Sequence, residues 1–532
     1  MTRVFHRTLA ALLASLTLLA AHAASESFPV QVRTEGGSLK GAEDEGVLAF
    51  KAIPYVQPPL GDLRWRAPQQ VQAWQGVRDA TQLSPDCMQG TLGPPPPGGR
   101  HVTSEDCLYL NLWRPVEAKT QKLPVMVWIH GGGFVNGGSS SVDSTGQGMA
   151  ARGLVFVSFN YRLGRFGFFG FPALNAEHPE EAKGNFGLMD QAAALRWVKR
   201  NIAAFGGDPD NVTVVGESAG GMSIHYLLTS PAARGLFQRA VVQSGAGRKV
   251  PRERRLAEDL PDATSATTLG LAFAKRWNIA GDDAKALAQL RSLSAEQVTD
   301  GLNMLSVLLR DRAMYAGPVI DGRFLIELPE SAYAAGRQMR VPLIVGATSW
   351  DLGLSMARTP EEAFAPYGSL AAELRRAYDP QGKGDMQAIN GALGSDLMMV
   401  EPARFVARSM AATGAPTYEY RFSYVLASKR AQSPFGAQHA SDVSFAFDRI
   451  SAFHGVEAVA PADERMSRAI ADYWANFARN GNPNGAGLPN WPSYGAEQDL
   501  LLDFGADGAI ASKPDPWRAR LDLIERTTAP KP

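Results

Sequence analysis

Two runs of unbroken apolar character stand out from an otherwise mixed chain. "LPVMVWIH" (123–130) and "GLVFVSFNYR" (153–162) place apolar side chains at consecutive rather than alternate positions. A strand with one wet face alternates, whereas a strand covered on both faces does not, so these runs predict interior strands of a largely parallel sheet. "NVTVVG" (211–216), "RAVVQSG" (239–245) and "VPLIVGA" (341–347) read as further strands. "YEYRFSY" (418–424) alternates less cleanly but is rich in strand formers. Between 187 and 205, Leu188, Leu195, Val198 and Ile202 recur at helical spacing, and Trp197 and several alanines widen that face. Strand, helix and strand in repetition predict one α/β domain built on a doubly wound sheet with right-handed crossovers. From about 250 to 340 the pattern turns helical and charged, which reads as a helical insertion into that domain rather than a second one. "GPPPPGGR" (93–100) is a low-complexity patch expected to form a stiff exposed loop.

The first 23 residues do not fit the globular pattern. A basic leader containing Arg3 and Arg7 precedes a short apolar run, and Ala21-His22-Ala23 offers a small-residue cleavage site. This is the layout of a signal peptide, and the run is shorter than the ~20 residues a membrane span needs. The expectation is an exported protein, periplasmic or secreted, whose residues 24–532 form a single domain without a membrane span. An oxidising destination changes the reading of Cys87 and Cys107, the chain's two cysteines, which are about 20 residues apart. They are expected to form a disulfide, contributing about 3 kcal/mol in chain-entropy terms. Lys+Arg and Asp+Glu are both 53, so a net charge of zero argues against nucleic acid as a partner.

The candidate chemistry starts at Gly216-Glu217-Ser218-Ala219-Gly220, which follows a predicted strand and opens directly into an apolar helical run. Gly-x-Ser-x-Gly at such a junction is the sharp turn that presents a serine nucleophile. Acyl transfer by Ser218 also needs a base, an acid to orient that base, and donors for the oxyanion. "IHGGGF" (129–134) follows a buried strand, and its consecutive glycines let backbone N–H groups crowd a developing negative charge. Gly132, Gly133 and Ala219 are the expected donors, since the amide after the nucleophile joins that set.

Elimination narrows the base among eight histidines. His6 and His22 lie in the leader, His130 in the glycine loop and His225 on the helix after Ser218. His101 and His178 precede the serine, whereas this arrangement orders its residues Ser, acid, His. His439, in the small-residue stretch "GAQHASDVSFAF", is preferred to His454. Asp351 lies just past the strand 341–347 and is the expected acid, ahead of Asp321, Glu327 and Glu330.

Taken together these segments resemble the type-B carboxylesterase (cholinesterase-like) family over nearly all of the mature chain. "FKAIPYVQPPLGDLRWRAPQ", "SEDCLYLNLW", "HGGGF", "NYRLGRFGF", "GNFGLMDQAAALRWVKRNIAAFGGDPDNVTVVGESAGG" and "WANFARNGNPNG" follow the family's order. The resemblance implies an α/β-hydrolase fold, hydrolysis of small-molecule esters without a cofactor or metal, and Glu217 shaping the elbow rather than serving as the acid. Two departures stand out. The family's usual acid is Glu in an Asp-Glu-Gly context, whereas this chain reads Trp350-Asp351-Leu352. The tryptophan that binds quaternary ammonium in cholinesterases has no counterpart between Cys87 and Cys107. The reading is therefore a general serine carboxylesterase, with a catalytically weak, cholinesterase-like binding or adhesion protein as the alternative. The pattern carries no signature of oligomeric state.

Overall fold

The computed structural model describes residues 28–90, 101–117, 122–248, 253–308, 316–353 and 355–527. The expected signal peptide and the proline-rich stretch 93–100 lie outside these residues.

Among the described residues, eleven strands form one sheet: β1 (Ala42–Asp44), β2 (Val47–Pro54), β3 (Tyr109–Pro115), β4 (Leu123–Ile129), β5 (Val155–Phe159), β6 (Gly207–Glu217), β7 (Arg239–Gln243), β8 (Leu343–Thr348), β9 (Thr417–Phe422), β10 (Leu500–Phe504) and β11 (Ile510–Pro514). Their spatial order is β11-β10-β9-β8-β7-β6-β4-β5-β3-β2-β1. The seven strands from β10 to β5 pair in parallel, while β3, β2, β1 and β11 add antiparallel edges. The chain runs outward from β4 to β5 and then returns to place β6 on β4's other side. That reversal opens a crevice at the strands' carboxyl ends.

The unbroken apolar runs divide their side chains between two cores. Val125, Val127 and Ile129 of β4 pack on one face with Leu195 and Val198 of α1 (Phe186–Asn201) and Ile224 of α2 (Ala219–Thr229). Met126 and Trp128 point the other way, toward Trp474 and Phe477 of α4 (Pro461–Asn480). α3 (Glu401–Ala411) lends Val406 and Met410 to the first core. Consecutive apolar residues were needed because neither face of β4 meets water. The segment between β7 and β8 carries short helices, among them Ala266–Arg276, Ala284–Arg291 and Pro329–Ala334.

Several strands of the sheet were not read from the sequence pattern. β10 and β11 follow α4, beyond the strand read at 418–424. The antiparallel strands β2 and β3 were also not recognised. β3 is buried along "LNLWR" with Asn111 and Arg114 inside it, so its polar letters concealed an interior strand.

Candidate active site

β6 ends at Glu217 and α2 begins at Ala219, leaving Ser218 alone to make the turn. Its φ of 54° and ψ of −122° are strained for a residue with a side chain. The glycines around it permit close approach. A Cβ on Gly220 would lie 1.9 Å from the carbonyl oxygen of Ile129, and one on Gly216 would lie 2.5 Å from the carbonyl carbon of Gly220. Strand, elbow and helix nest too tightly for any side chain at either position. The Ser218 amide donates to the carbonyl of Gln243 at 3.0 Å, which ties the elbow to β7.

The expected base meets this serine, and the expected acid meets the base. His439 Nε2 lies 2.9 Å from Ser218 Oγ, and its Nδ1 lies 2.5 Å from Asp351 Oδ1. Asp351 follows β8 and His439 follows β9, two adjacent parallel strands. Beyond the strand ends, Trp350 and Gln438 form a parallel bridge, with the Trp350 amide donating to the carbonyl of Ala437 at 2.8 Å. The bridge puts the next residue of each segment, Asp351 and His439, side by side. That backbone approach is why the shorter aspartate reaches the imidazole.

Asp351 is buried and closely held. Its Oδ2 accepts from Ser244 Oγ at 2.6 Å and the Thr348 amide at 2.9 Å, and its Oδ1 accepts from the Leu352 amide at 2.7 Å. Its own amide donates to Ser395 Oγ at 2.7 Å. Burial works against the charged carboxylate, but the His439 ring and these donors outweigh it and hold Asp351 below the usual range. An ionised Asp351 accepts Nδ1–H, which leaves the Nε2 lone pair facing the serine hydroxyl. Ser244 and Ser395 carried no sequence signal, because each is a lone serine whose role exists only across the fold.

Glu217 sits on the other side of the imidazole, with Oε1 3.1 Å from His439 Nε2. Burial pushes its carboxyl up to about 8. For His439, burial disfavours the imidazolium, while the carboxylates of Glu217 and Asp351 favour it more strongly and raise the ring above its ordinary range.

The glycine loop lies against the serine. A Cβ on Gly131 would be 2.6 Å from Glu217 Oε2 and 3.1 Å from Ser218 Cβ. Gly132, Gly133 and Phe134 have φ of 103°, 61° and 63°, and the amides of Val135 and Asn136 both close onto the carbonyl of Gly132. Among the described residues, the amides of Gly132, Gly133 and Ala219 donate to no protein acceptor. They are free to serve a ligand oxygen beside Ser218.

Several of the rejected candidates are occupied elsewhere. His225 is buried with Nδ1 2.7 Å from the Tyr333 hydroxyl, and His130 stacks on Tyr161 at 4.3 Å between ring centroids. Asp321 Oδ1 accepts the amides of Arg323, Phe324 and Leu325 in its own turn. Glu327 pairs with Arg337, and Glu330 lies 3.4 Å from Arg248. Among the described residues, His178, Glu180 and Glu181 have metal-ligand spacing, but they include no member of this site and Glu181 is already paired with Arg66 at 2.6 Å. Cys87 and Cys107 are joined as a disulfide.

The sequence profile of the carboxylesterase family matches residues 29–517. The chain belongs to that family. This carboxylesterase is 36% identical over 506 residues to the para-nitrobenzyl esterase of Bacillus subtilis, covering 91% of this chain and 96% of that one. It is 34% identical over 575 residues to the liver carboxylesterase of Sus scrofa, covering 98% and 97% respectively. Among solved structures, a PNB esterase superposes with a TM-score of 0.76 at 32% identity, covering 93% of this carboxylesterase and all of the relative. The α/β-hydrolase fold and the assignment as a carboxylic ester hydrolase, rather than a binding or adhesion protein, follow from these matches together with the crevice described above.

Proposed function

We propose that this carboxylesterase hydrolyses small-molecule esters through a covalent acyl-enzyme formed on Ser218. His439 takes the Ser218 proton as Oγ attacks the ester carbonyl, and Asp351 stabilises the resulting imidazolium. The amides of Gly132, Gly133 and Ala219 donate hydrogen bonds to the negatively charged tetrahedral oxygen. His439 returns the proton to the leaving alcohol. Water then attacks the acyl-enzyme by the same path in reverse, giving the carboxylic acid and free Ser218. The observation that carries this reading is the imidazole placed 2.9 Å from Ser218 Oγ on one side and 2.5 Å from Asp351 on the other. An aryl fluorophosphonate should label the protein once per chain at Ser218 and abolish turnover of p-nitrophenyl esters in proportion. Label at another residue, or full activity after labelling, would overturn the assignment.

The same proposal extends to substrate class and destination. Without a tryptophan between Cys87 and Cys107, a neutral ester is favoured over a choline ester. A panel varying acyl length and alcohol bulk, with a choline ester included, tests this; a choline ester hydrolysed fastest would refute it. The leader over residues 1–23 supports export, and N-terminal sequencing of the mature protein should begin at Ala24.

A further inference from the structure

The glycine loop is held from outside by the segment that carries Cys87. Two residues beyond that cysteine, the Gln89 carboxamide uses all four of its hydrogen-bonding positions. Its Nε2 donates to the carbonyl of Cys87 at 3.0 Å and to the carbonyl of Gly137 at 2.8 Å. Its Oε1 accepts from the Gly137 amide at 3.0 Å and from Asn136 Nδ2 at 3.1 Å. Gln89 thus engages both backbone groups of Gly137, as a neighbouring strand would.

Gly137 in turn bears on the loop's working end. It has φ of 106°, and a Cβ there would lie 2.5 Å from His130 Nδ1 and 2.6 Å from the Gly131 carbonyl. It therefore backs directly onto the two residues that lead into Gly132 and Gly133. Neighbouring contacts follow the same line. Asn136 Nδ2 also donates to the Gly90 carbonyl at 2.8 Å, and Ser140 Oγ donates to Asp86 Oδ2 at 2.6 Å. A loop of consecutive glycines has little rigidity of its own, so its amides stay aimed only if something else fixes them.

We propose that Gln89 is a positioning residue for the oxyanion donors, acting through Gly137, with the Cys87–Cys107 disulfide as its anchor. This rests on the acyl-enzyme reading above. A shift of well under an ångström in these amides weakens the transition state more than the bound ester, because the oxyanion exists only in the former.

The test replaces Gln89 by Met, which is similar in length and shape but cannot pair with Gly137. Competent sites are counted by fluorophosphonate titration, and kcat per titrated site, KM and inhibition by an aryl trifluoromethyl ketone are measured. The expected result is a fall in kcat of about 10- to 100-fold with KM changed less than about threefold. Affinity for the trifluoromethyl ketone, whose serine adduct carries a tetrahedral oxyanion, should fall in parallel. The acid limb of the pH profile should stay in place, because His439 and its carboxylates are untouched. A purely structural role would reduce the number of titratable sites and the melting temperature while sparing kcat per site. That outcome, or inhibitor affinity within twofold of wild type, overturns the proposal. If the Met variant does not fold, Gln89→Glu keeps the shape and the acceptor but sets an oxygen against the Gly137 carbonyl, and the same readouts apply. A wild-type protein that neither titrates nor hydrolyses esters would instead refute the underlying acyl-enzyme reading.

Discussion

Glu217 Oε1 and Ser218 Oγ approach the same nitrogen, His439 Nε2, at 3.1 and 2.9 Å. One nitrogen cannot serve both groups in the same way throughout a reaction. With His439 neutral and its proton on Nδ1, Nε2 is an acceptor, and an ionised Glu217 would set lone pair against lone pair. Burial pushes Glu217 up to about 8 while a charged ring pulls it back down, so the carboxyl keeps its proton beside a neutral His439, where that repulsion is absent, and gives it up most readily beside an imidazolium. Once His439 takes the serine proton, Nε2–H faces a group able to become a counter-ion. Glu217 thus favours the charged ring without being its orienting acid.

This relationship gives a pH prediction. Glu217 and Asp351 both raise His439, against the opposing effect of burial. Glu217→Gln keeps the shape and removes one of the carboxylates that raise the ring, so the acid limb of kcat/KM should move to lower pH. A limb that stays in place, or moves upward, would show that Glu217 does not act on the ring. Stability should respond as well. The folded carboxyl lies at about 8 against an ordinary 4.5, so its contribution is present below the unfolded value and is lost as pH rises through the folded one. The Gln variant should therefore lose less stability than wild type as pH rises from about 5 to about 8, measured by urea denaturation.

Ser218→Ala should fold with an unchanged circular dichroism spectrum and lose roughly 10⁴-fold or more in turnover, leaving the residual that oxyanion donors and binding supply. Relief of the strained backbone is not expected, because alanine has the same Cβ at φ 54°. A variant retaining a tenth of wild-type turnover would remove Ser218 from the mechanism.

Asp351→Asn should cost about 10⁴-fold in kcat, because the neutral amide loses the charge that stabilises imidazolium and permits the wrong tautomer. Asp351→Glu restores the family's usual residue, but its extra methylene must fit a carboxylate already fixed by Ser244 Oγ and the Thr348 and Leu352 amides. Measurable but reduced activity is expected. Asp321→Asn and Asp442→Asn are the controls. Asp321 serves its own turn, and Asp442 accepts from Gln243 Nε2 at 2.8 Å and the Tyr420 hydroxyl at 2.9 Å. Kinetics in which Asp321→Asn collapses while Asp351→Asn stays near wild type would displace Asp351 as the acid.

Replacing both Cys87 and Cys107 by Ser should lower the apparent melting temperature, in line with about 3 kcal/mol for a loop of this length. The folded variant should still turn over, at a reduced kcat if the bridge anchors Gln89. Two thiols titrated in the denatured, unreduced wild-type protein would show that the bridge does not form.

The interior of the sheet was legible in the sequence because parallel strands covered on both faces leave continuous apolar runs, as at β4 and β5. The elbow was legible too, because Gly216, Ser218 and Gly220 are local requirements of one turn. Glycine is demanded there by approaches too close for a Cβ. His439 and Asp351 came from chain order and elimination, but no local pattern could state that they meet. That was decided by the pairing of β8 with β9 and the bridge between Trp350 and Gln438, which set two segments 88 residues apart in register. Ser244, Ser395 and Gln89 were invisible beforehand for the same reason. A lone serine or glutamine has no periodicity and no spacing, and its hydrogen-bond partners are chosen by the fold. Residue chemistry and local turn sterics are written along the chain, whereas the distances between donors and acceptors exist only after the strands have taken their places side by side.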